Sequence, residues 1–167
     1  MCLNYKNAEE SGATKYLKKH VLRHLQACSG LKILEIGCGN GFLTNYLRQQ
    51  GHKVLGIDIS ESAIQIAKQS HPESDFLCLS AEQDLSSTIK DKFDAIIAVE
   101  VMEHLYAPKE MLKNVKKLLK DQSSVFIFTV PYYGYLKNLL LALFNKFDKA
   151  FVALWDGGHI KFFHRRH

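Results

Sequence analysis

The sequence predicts an α/β protein built on a doubly wound parallel sheet, with strands in the order 3-2-1-4-5. Three observations carry this reading. Short apolar runs alternate with helical segments from residue 31 to residue 130. Runs such as Ala95-Ile96-Ile97-Ala98-Val99 are apolar at every position rather than every second one, which implies burial on both faces of a sheet sandwiched by helices. The first run also ends in a glycine-rich turn, Gly37-Cys38-Gly39-Asn40-Gly41, ahead of a helical segment. Glycines there let the backbone bend sharply and approach a ligand closely. Right-handed crossovers between parallel strands then favour the stated order.

Taken in order, residues 1–12 read as irregular. Ala13 to Ala27 places Tyr16, Leu17, Val21, Leu22 and Leu25 on one helical face, and Cys28-Ser29-Gly30 stops it. Strands are expected near 31–36, 53–57, 75–79, 93–99 and 123–130. Helices are expected near 41–50, 61–70 and 108–119, with a short helical turn after Glu100. Ser60 suits the cap of the 61–70 helix, with Glu61 in its first turn. Pro131 ends the fifth strand. Beyond it, Leu136, Leu140, Leu143, Phe144, Phe147, Phe151 and Leu154 recur at helical spacing, and Leu139 and Leu141 widen the apolar face. That segment reads either as a cover for the core or a dimer face, or as a lid lying on a membrane interface through residues 135–154.

At 167 residues with 47% apolar content, one domain with a sizeable core is expected: an N-terminal helical segment at 1–30, a ligand-binding core at 31–130 and a substrate-side lid or insertion at 131–167. A net charge of +5, spread over scattered lysines without an aromatic–basic module, gives no reason to expect a nucleic-acid partner. The four cysteines, at positions 2, 28, 38 and 78, form no C-x-x-C pair, so reduced thiols and a cytoplasmic location are expected. No signal-peptide core or run long enough to span a membrane is visible in the sequence.

The glycine turn is not a dinucleotide fingerprint. That pattern requires a third glycine where Phe42 stands. Carboxylates mark the ends of successive strands instead: Glu35, Asp58, Glu82 and Glu100. A pyrophosphate is ill served by such a ring, whereas a cationic ligand suits it. The glycine loop EIGCGNG, the Asp58 strand tip and the segment FDAIIAVEVMEHL, Phe93 to Leu105, together resemble the class I S-adenosylmethionine-dependent methyltransferases. The resemblance covers roughly Leu31 to Val130. VEVMEHL, the helix begun by Pro108 and the GGHIKFF tail are similar to the subgroup that contains the ubiquinone-biosynthesis O-methyltransferases.

The resemblance implies a Rossmann-like fold, S-adenosylmethionine as cofactor and S-adenosylhomocysteine as product, and methyl transfer to a small or lipophilic acceptor, most readily an oxygen. It implies that the amides of Gly37, Gly39 and Gly41 meet the methionine carboxylate, with Cys38, Asn40 and Phe42 in the same loop. It sets Glu35 as an orienting acid, Asp58 on the ribose hydroxyls and Ile59 beside the adenine. Ser80 stands where many relatives carry Asp, with Ala81 and Glu82 at the adenine edge, and Glu100 and Val101 flank the methionine arm. Asp58 could instead cap the following helix, and Glu82 could be a plain solvated acid. His104 and His159 are the candidate catalytic bases, since imidazole titrates near neutrality; each could equally be a structural histidine in a turn. Glu103 is a single acid, too little for a metal site. Members of that family carry two further strands after the fifth, so missing or truncated C-terminal strands are expected, leaving an edge that the 135–154 segment or a second chain would shield. Two other readings stand beside this one: a non-catalytic cofactor-binding or scaffolding domain, and a nicotinamide-dependent oxidoreductase, which Phe42 disfavours.

Overall fold

A computed structural model of the chain describes residues 10, 12–25, 30–132, 135–146 and 160. Five parallel strands form one sheet in the order β3-β2-β1-β4-β5: β1 Lys32–Ile36, β2 Lys53–Asp58, β3 Asp75–Cys78, β4 Ala95–Val99 and β5 Val125–Thr129. Helices α2 Phe42–Gln49, α3 Glu61–Ser70 and α4 Pro108–Leu118 make the crossovers, and α1 Gly12–Leu25 precedes the sheet. Short 3₁₀ turns at Leu85–Ser87 and Met102–His104 complete the connections.

The side-chain alternation of β1 divides the core. Leu34 and Ile36 face one side, with Ile96, Ala98 and Ile57, under Met111, Val115 and Leu118 of α4. Ile33 faces the other side, with Ala95 and Ile97, under Val21 and Leu25 of α1 and Leu43 and Leu47 of α2. A smaller cluster joins Ile64 and Ala67 of α3 to Phe76 of β3 and Cys38. Central strands buried on both faces account for the unbroken apolar runs. Each fully buried Leu or Ile contributes roughly 1.5–3 kcal/mol relative to exposure.

Local chemistry sets the element ends. Ser60 caps α3, its Oγ accepting from Ala63 N at 3.3 Å. Pro108 opens α4, where its missing N–H costs nothing. Residues 123 and 124, expected in β5, lie in a turn instead, because Asp121 accepts hydrogen bonds from Ser123 N at 2.8 Å and Ser123 Oγ at 2.6 Å. Tyr16, expected on the buried face of α1, is exposed. The long helix expected from 136 to 154 is shorter: α5 runs Tyr135–Leu143, and Asn145, in the left-handed region at φ 50°, closes it, with Lys146 N donating to Leu141 O at 2.8 Å. Leu139, Leu140, Leu143 and Phe144 are exposed. The rest of that segment, including Phe147, Phe151 and Leu154, lies outside the described residues. Among the described strands β5 pairs with β4 alone.

β1 pairs with β2 on one side and β4 on the other, so chain direction across the sheet reverses at β1. Ligands of open α/β sheets bind at the carboxyl ends of the strands flanking such a switch point.

Candidate functional site at the switch point

The turn after β1 has no freedom to be anything but glycine at two positions. Gly37 sits at φ 76°, and a Cβ there would lie 2.4 Å from Val101 Cγ2. Gly41 sits at φ 80° with its Cβ direction filled by Phe76 and Ala67. The backbone amides of the loop have partners inside the protein. Gly37 N and Cys38 N donate to Ile57 O at 2.8 and 3.0 Å, Gly39 N to Asp58 Oδ2 at 2.9 Å, and Gly41 N to Cys38 O at 2.9 Å. The Gly37 and Gly39 amides thus hold the loop to β2, and the Gly41 amide closes the loop on itself. Asn40 Oδ1 accepts from Phe42 N at 3.3 Å and fastens the start of α2.

Asp58 both caps and clamps. Its Oδ1 accepts from Ser60 N at 2.8 Å and its Oδ2 from Gly39 N. Each carboxylate oxygen can accept twice, so one acceptor site on each oxygen remains for a ligand hydroxyl.

Glu35 is buried, on the strand before the loop, and accepts a short hydrogen bond from Thr44 Oγ1. Burial pushes its carboxyl up to about 8; the Thr44 bond opposes this and the Asp58 charge adds to it. Thr44 reaches Glu35 because Gly56, opposite Glu35 in the register, lacks a side chain: a Cβ there would lie 2.6 Å from Thr44 Oγ1. Cys38 is buried and its thiol is pushed well up, by burial first and by Glu35 and Asp58 next, which keeps it protonated and unreactive.

At the end of β4, Glu100 is one of two non-glycine residues with positive φ among the described residues, at 55°. Its N–H donates to Thr129 O at 3.3 Å and to Thr129 Oγ1 at 3.1 Å, and Thr129 Oγ1 donates to Glu100 Oε1 at 2.9 Å. Such a conformation costs on the order of 1 kcal/mol or more and persists because its surroundings fix it. Glu103, fully buried in the following 3₁₀ turn, has its carboxyl pushed up to about 7 by burial, opposed by its own backbone hydrogen bond and reinforced by Glu100. Its carbonyl accepts from Ile160 N at 2.8 Å, which brings residue 160 beside this turn. His104, half-buried, ends the same turn.

At these strand ends lies a cavity of about 350 Å³, within the range of small-ligand sites. Of the sequence-predicted residues, Glu35, Gly37, Cys38, Asn40, Phe42, Asp58, Ile59, Ser80, Ala81, Glu82, Glu100, Val101 and His104 all line it. Gly39 and Gly41 are not among the lining residues and shape the loop behind it. His159 lies outside the described residues. Ile59 is 55% exposed at the rim. Ser80 Oγ accepts from Glu82 N at 3.2 Å, and Glu82 accepts from Ala107 N ahead of α4, so Glu82 ties two loops together rather than standing free in solvent.

Thr14, Leu79, Leu105 and Tyr106 also line the cavity and were not singled out by sequence reasoning. Tyr106 is 73% exposed at the mouth. Thr44, Asn114 and Thr129 support the site from behind. Asn114 Nδ2 donates to Ala81 O at 2.9 Å and Gln83 O at 2.6 Å, and its Oδ1 accepts from Leu85 N at 3.2 Å. The glycine in β2 and the amide on the apolar face of α4 were the available signals for Thr44 and Asn114; for Thr129 there was none.

Fold and site together define a doubly wound α/β protein with an acid-lined small-ligand crevice. The model of the methyltransferase domain family matches residues 10–167, and the chain belongs to that family. A ubiquinone biosynthesis O-methyltransferase of Coxiella burnetii is 34% identical over 143 residues, 81% of this chain and 58% of that protein. One from Idiomarina loihiensis is 30% identical over 111 residues, 64% of this chain and 45% of that protein. The chain thus spans about half the length of the relatives it matches. Among solved structures, a TehB-like SAM-dependent methyltransferase from Corynebacterium glutamicum aligns with TM-score 0.54 at 34% identity, covering 61% of this chain and 56% of that one. The magnesium protoporphyrin IX methyltransferase of Synechocystis, crystallised with S-adenosylhomocysteine, aligns with TM-score 0.69 at 21% identity over 92% of this chain and 68% of that one, a likeness of fold.

Proposed function

We propose that this chain binds S-adenosylmethionine in the switch-point cavity and directs its methyl group to a small or lipophilic acceptor, with a hydroxyl oxygen as nucleophile. The observation that carries the reading is the pairing of Asp58, with acceptor sites to spare, and the buried Glu35 on adjacent strand ends of one cavity. The names of the relatives support an oxygen acceptor.

The residues fit the ligand. Asp58 takes the ribose hydroxyls. Glu35 offers a carboxylate to the ammonium group, and Asn40 and Phe42 flank that end. Ile59, Leu79 and Ala81 give the adenine apolar walls, with Ser80 at its polar edge. Glu100 and Val101 border the methionine arm. When bound, the sulfonium supplies an activated methyl group whose transfer is downhill. This chain's residues then align the acceptor, keep water out and take its proton. His104, which lines the cavity, is proposed to receive that proton and pass it to solvent; His159 is proposed for the same task from sequence alone. The exposed face of α5 is proposed as the surface that meets a lipophilic acceptor or the membrane holding it.

Calorimetric titration with S-adenosylmethionine, S-adenosylhomocysteine and NAD tests the reading. Binding of the first two and not the third is expected. Asp58→Ala should weaken S-adenosylhomocysteine binding by about 1–3 kcal/mol, the scale for a polar ligand group left without its partner. Undiminished affinity in a folded Asp58→Ala protein would remove the ribose assignment.

A further inference from the structure

Helix α1 is anchored unevenly. Its C-terminal half is buried through Val21 and Leu25 against β1 and α2. In its N-terminal half Tyr16 is exposed, while Thr14 forms part of the cavity wall. Lys18 ties that half to α2. Its ammonium lies 5.5 Å from the centroid of the Phe42 ring, 5.2 Å from that of Tyr46 and 2.5 Å from Glu10 Oε1. The Lys18 and Glu10 side chains are only 19% and 22% exposed, so solvent and salt screen the group less than they would a surface pair. A cation over two ring faces, with a carboxylate behind it, is a directional contact that a neutral chain of equal length cannot make. Phe42 is at once the first residue of α2, a wall of the cavity and one of the rings under Lys18.

We propose that Lys18 is a positioning residue for the cofactor: held among Glu10, Phe42 and Tyr46, it latches the N-terminal half of α1 onto α2, so that Thr14 and the Phe42 ring close one wall of the cavity. It touches no reacting atom and acts through those two residues. The inference rests on the reading of the cavity as a cofactor site. Because Val21 and Leu25 keep the C-terminal half in place, loss of the latch frees the first two turns of α1 without unfolding the sheet.

The test is calorimetry with S-adenosylhomocysteine on the whole chain, wild type against Lys18→Met and Lys18→Arg, with thermal melting and hydrogen exchange on each. Lys18→Met, which keeps the aliphatic length and removes the charge, should raise Kd by about 3- to 10-fold, the range spanned by a partly shielded cation–π contact. Its unfolding midpoint should stay close to wild type, with faster amide exchange over residues 14–18 and unchanged exchange over 21–25. Lys18→Arg should restore affinity, since guanidinium stacks on the same rings. Equal affinity in wild type and Lys18→Met overturns the latch while leaving the cofactor reading intact, as does a loss of affinity that merely tracks a fall in melting temperature. A wild-type chain that binds no S-adenosylhomocysteine overturns the cofactor reading itself, and the latch with it.

Discussion

Glu35 shows how a single residue's surroundings set its chemistry. On an exposed surface its carboxyl would be ionised at neutral pH. Buried between β1 and α2, with only the Thr44 hydroxyl to offset the loss of water, it is pushed up to about 8. The sign follows from that direction. In the absence of ligand, the stability associated with a protonated Glu35 is fully present below its ordinary value of 4.5 and is lost as pH rises through about 8. A cationic ligand reverses the preference, because its ammonium is attracted only to the ionised form. Binding of S-adenosylhomocysteine at pH 7 should therefore release a proton, and affinity should rise from pH 6 to pH 8 and then level. Titrations in two buffers of different ionisation enthalpy measure that release directly. Glu35→Gln should bind more weakly and with a flat pH profile; a profile as steep as wild type would assign the titration to another group. Presence of an acid at position 35 was legible in the sequence. Its burial and the threonine that holds it were not, because Thr44 is nine residues further on and meets Glu35 only where Gly56 leaves room.

At the scale of elements, the strands were legible because both faces of the central ones are buried, and a run such as Ala95–Val99 has no other use for so many apolar side chains in succession. Edges and ends were less so. β3 buries only Phe76, and the C-terminal limit of α5 depends on Asn145 turning left-handed, where the 3.6-residue pattern continues unchanged. Helix α4 carries a residue its periodicity alone would misjudge. Asn114 faces the core, and its amide satisfies two carbonyls and an N–H of the loop that brings Ala81 and Glu82 to the cavity wall. Asn114→Ala would leave those groups to compete for whatever water can enter, and should cost about 2–4 kcal/mol in urea unfolding. A cost below 0.5 kcal/mol would mean that the loop holds itself. For α5, the exposed Leu139, Leu140, Leu143 and Phe144, with Lys146 beside them, predict flotation with anionic liposomes at low salt and release at high salt. Failure to float with anionic vesicles at any salt would leave α5 a packing face for protein.

For the molecule as a whole, pH stability is a contest between groups at opposite ends of the sheet. At the carboxyl ends, Glu35 and Glu103 have raised values, about 8 and about 7, so acidification toward 4.5 favours the folded state through them. At the other end, His52 and His71 are lowered, the first by burial and the second by burial and then by the charge of Arg48. His52 Nδ1 and His71 Nε2 are buried without a hydrogen-bond partner among the described residues. For a histidine lowered in the folded state, no penalty exists above its ordinary value of 6.5; as pH falls below 6.5, the unfolded chain takes up protons that the folded chain refuses, and stability drops. The two effects oppose each other between pH 5 and 6.5, so the wild-type stability curve is blunted there and the histidine part must be read by difference. Replacing both residues in the variant His52→Asn/His71→Asn removes that part alone. Its stability relative to wild type, from urea unfolding at each pH, should be constant above pH 7 and should improve steadily from 6.5 to 5. The acids with lowered values, Asp84, Asp94 and Asp121, act only below their ordinary 3.8 and do not intrude on that window. A difference that stays level from pH 7 to pH 5 would show that both imidazoles reach water in the folded protein, and that the pH dependence of stability in this range comes from Glu35 and Glu103 instead.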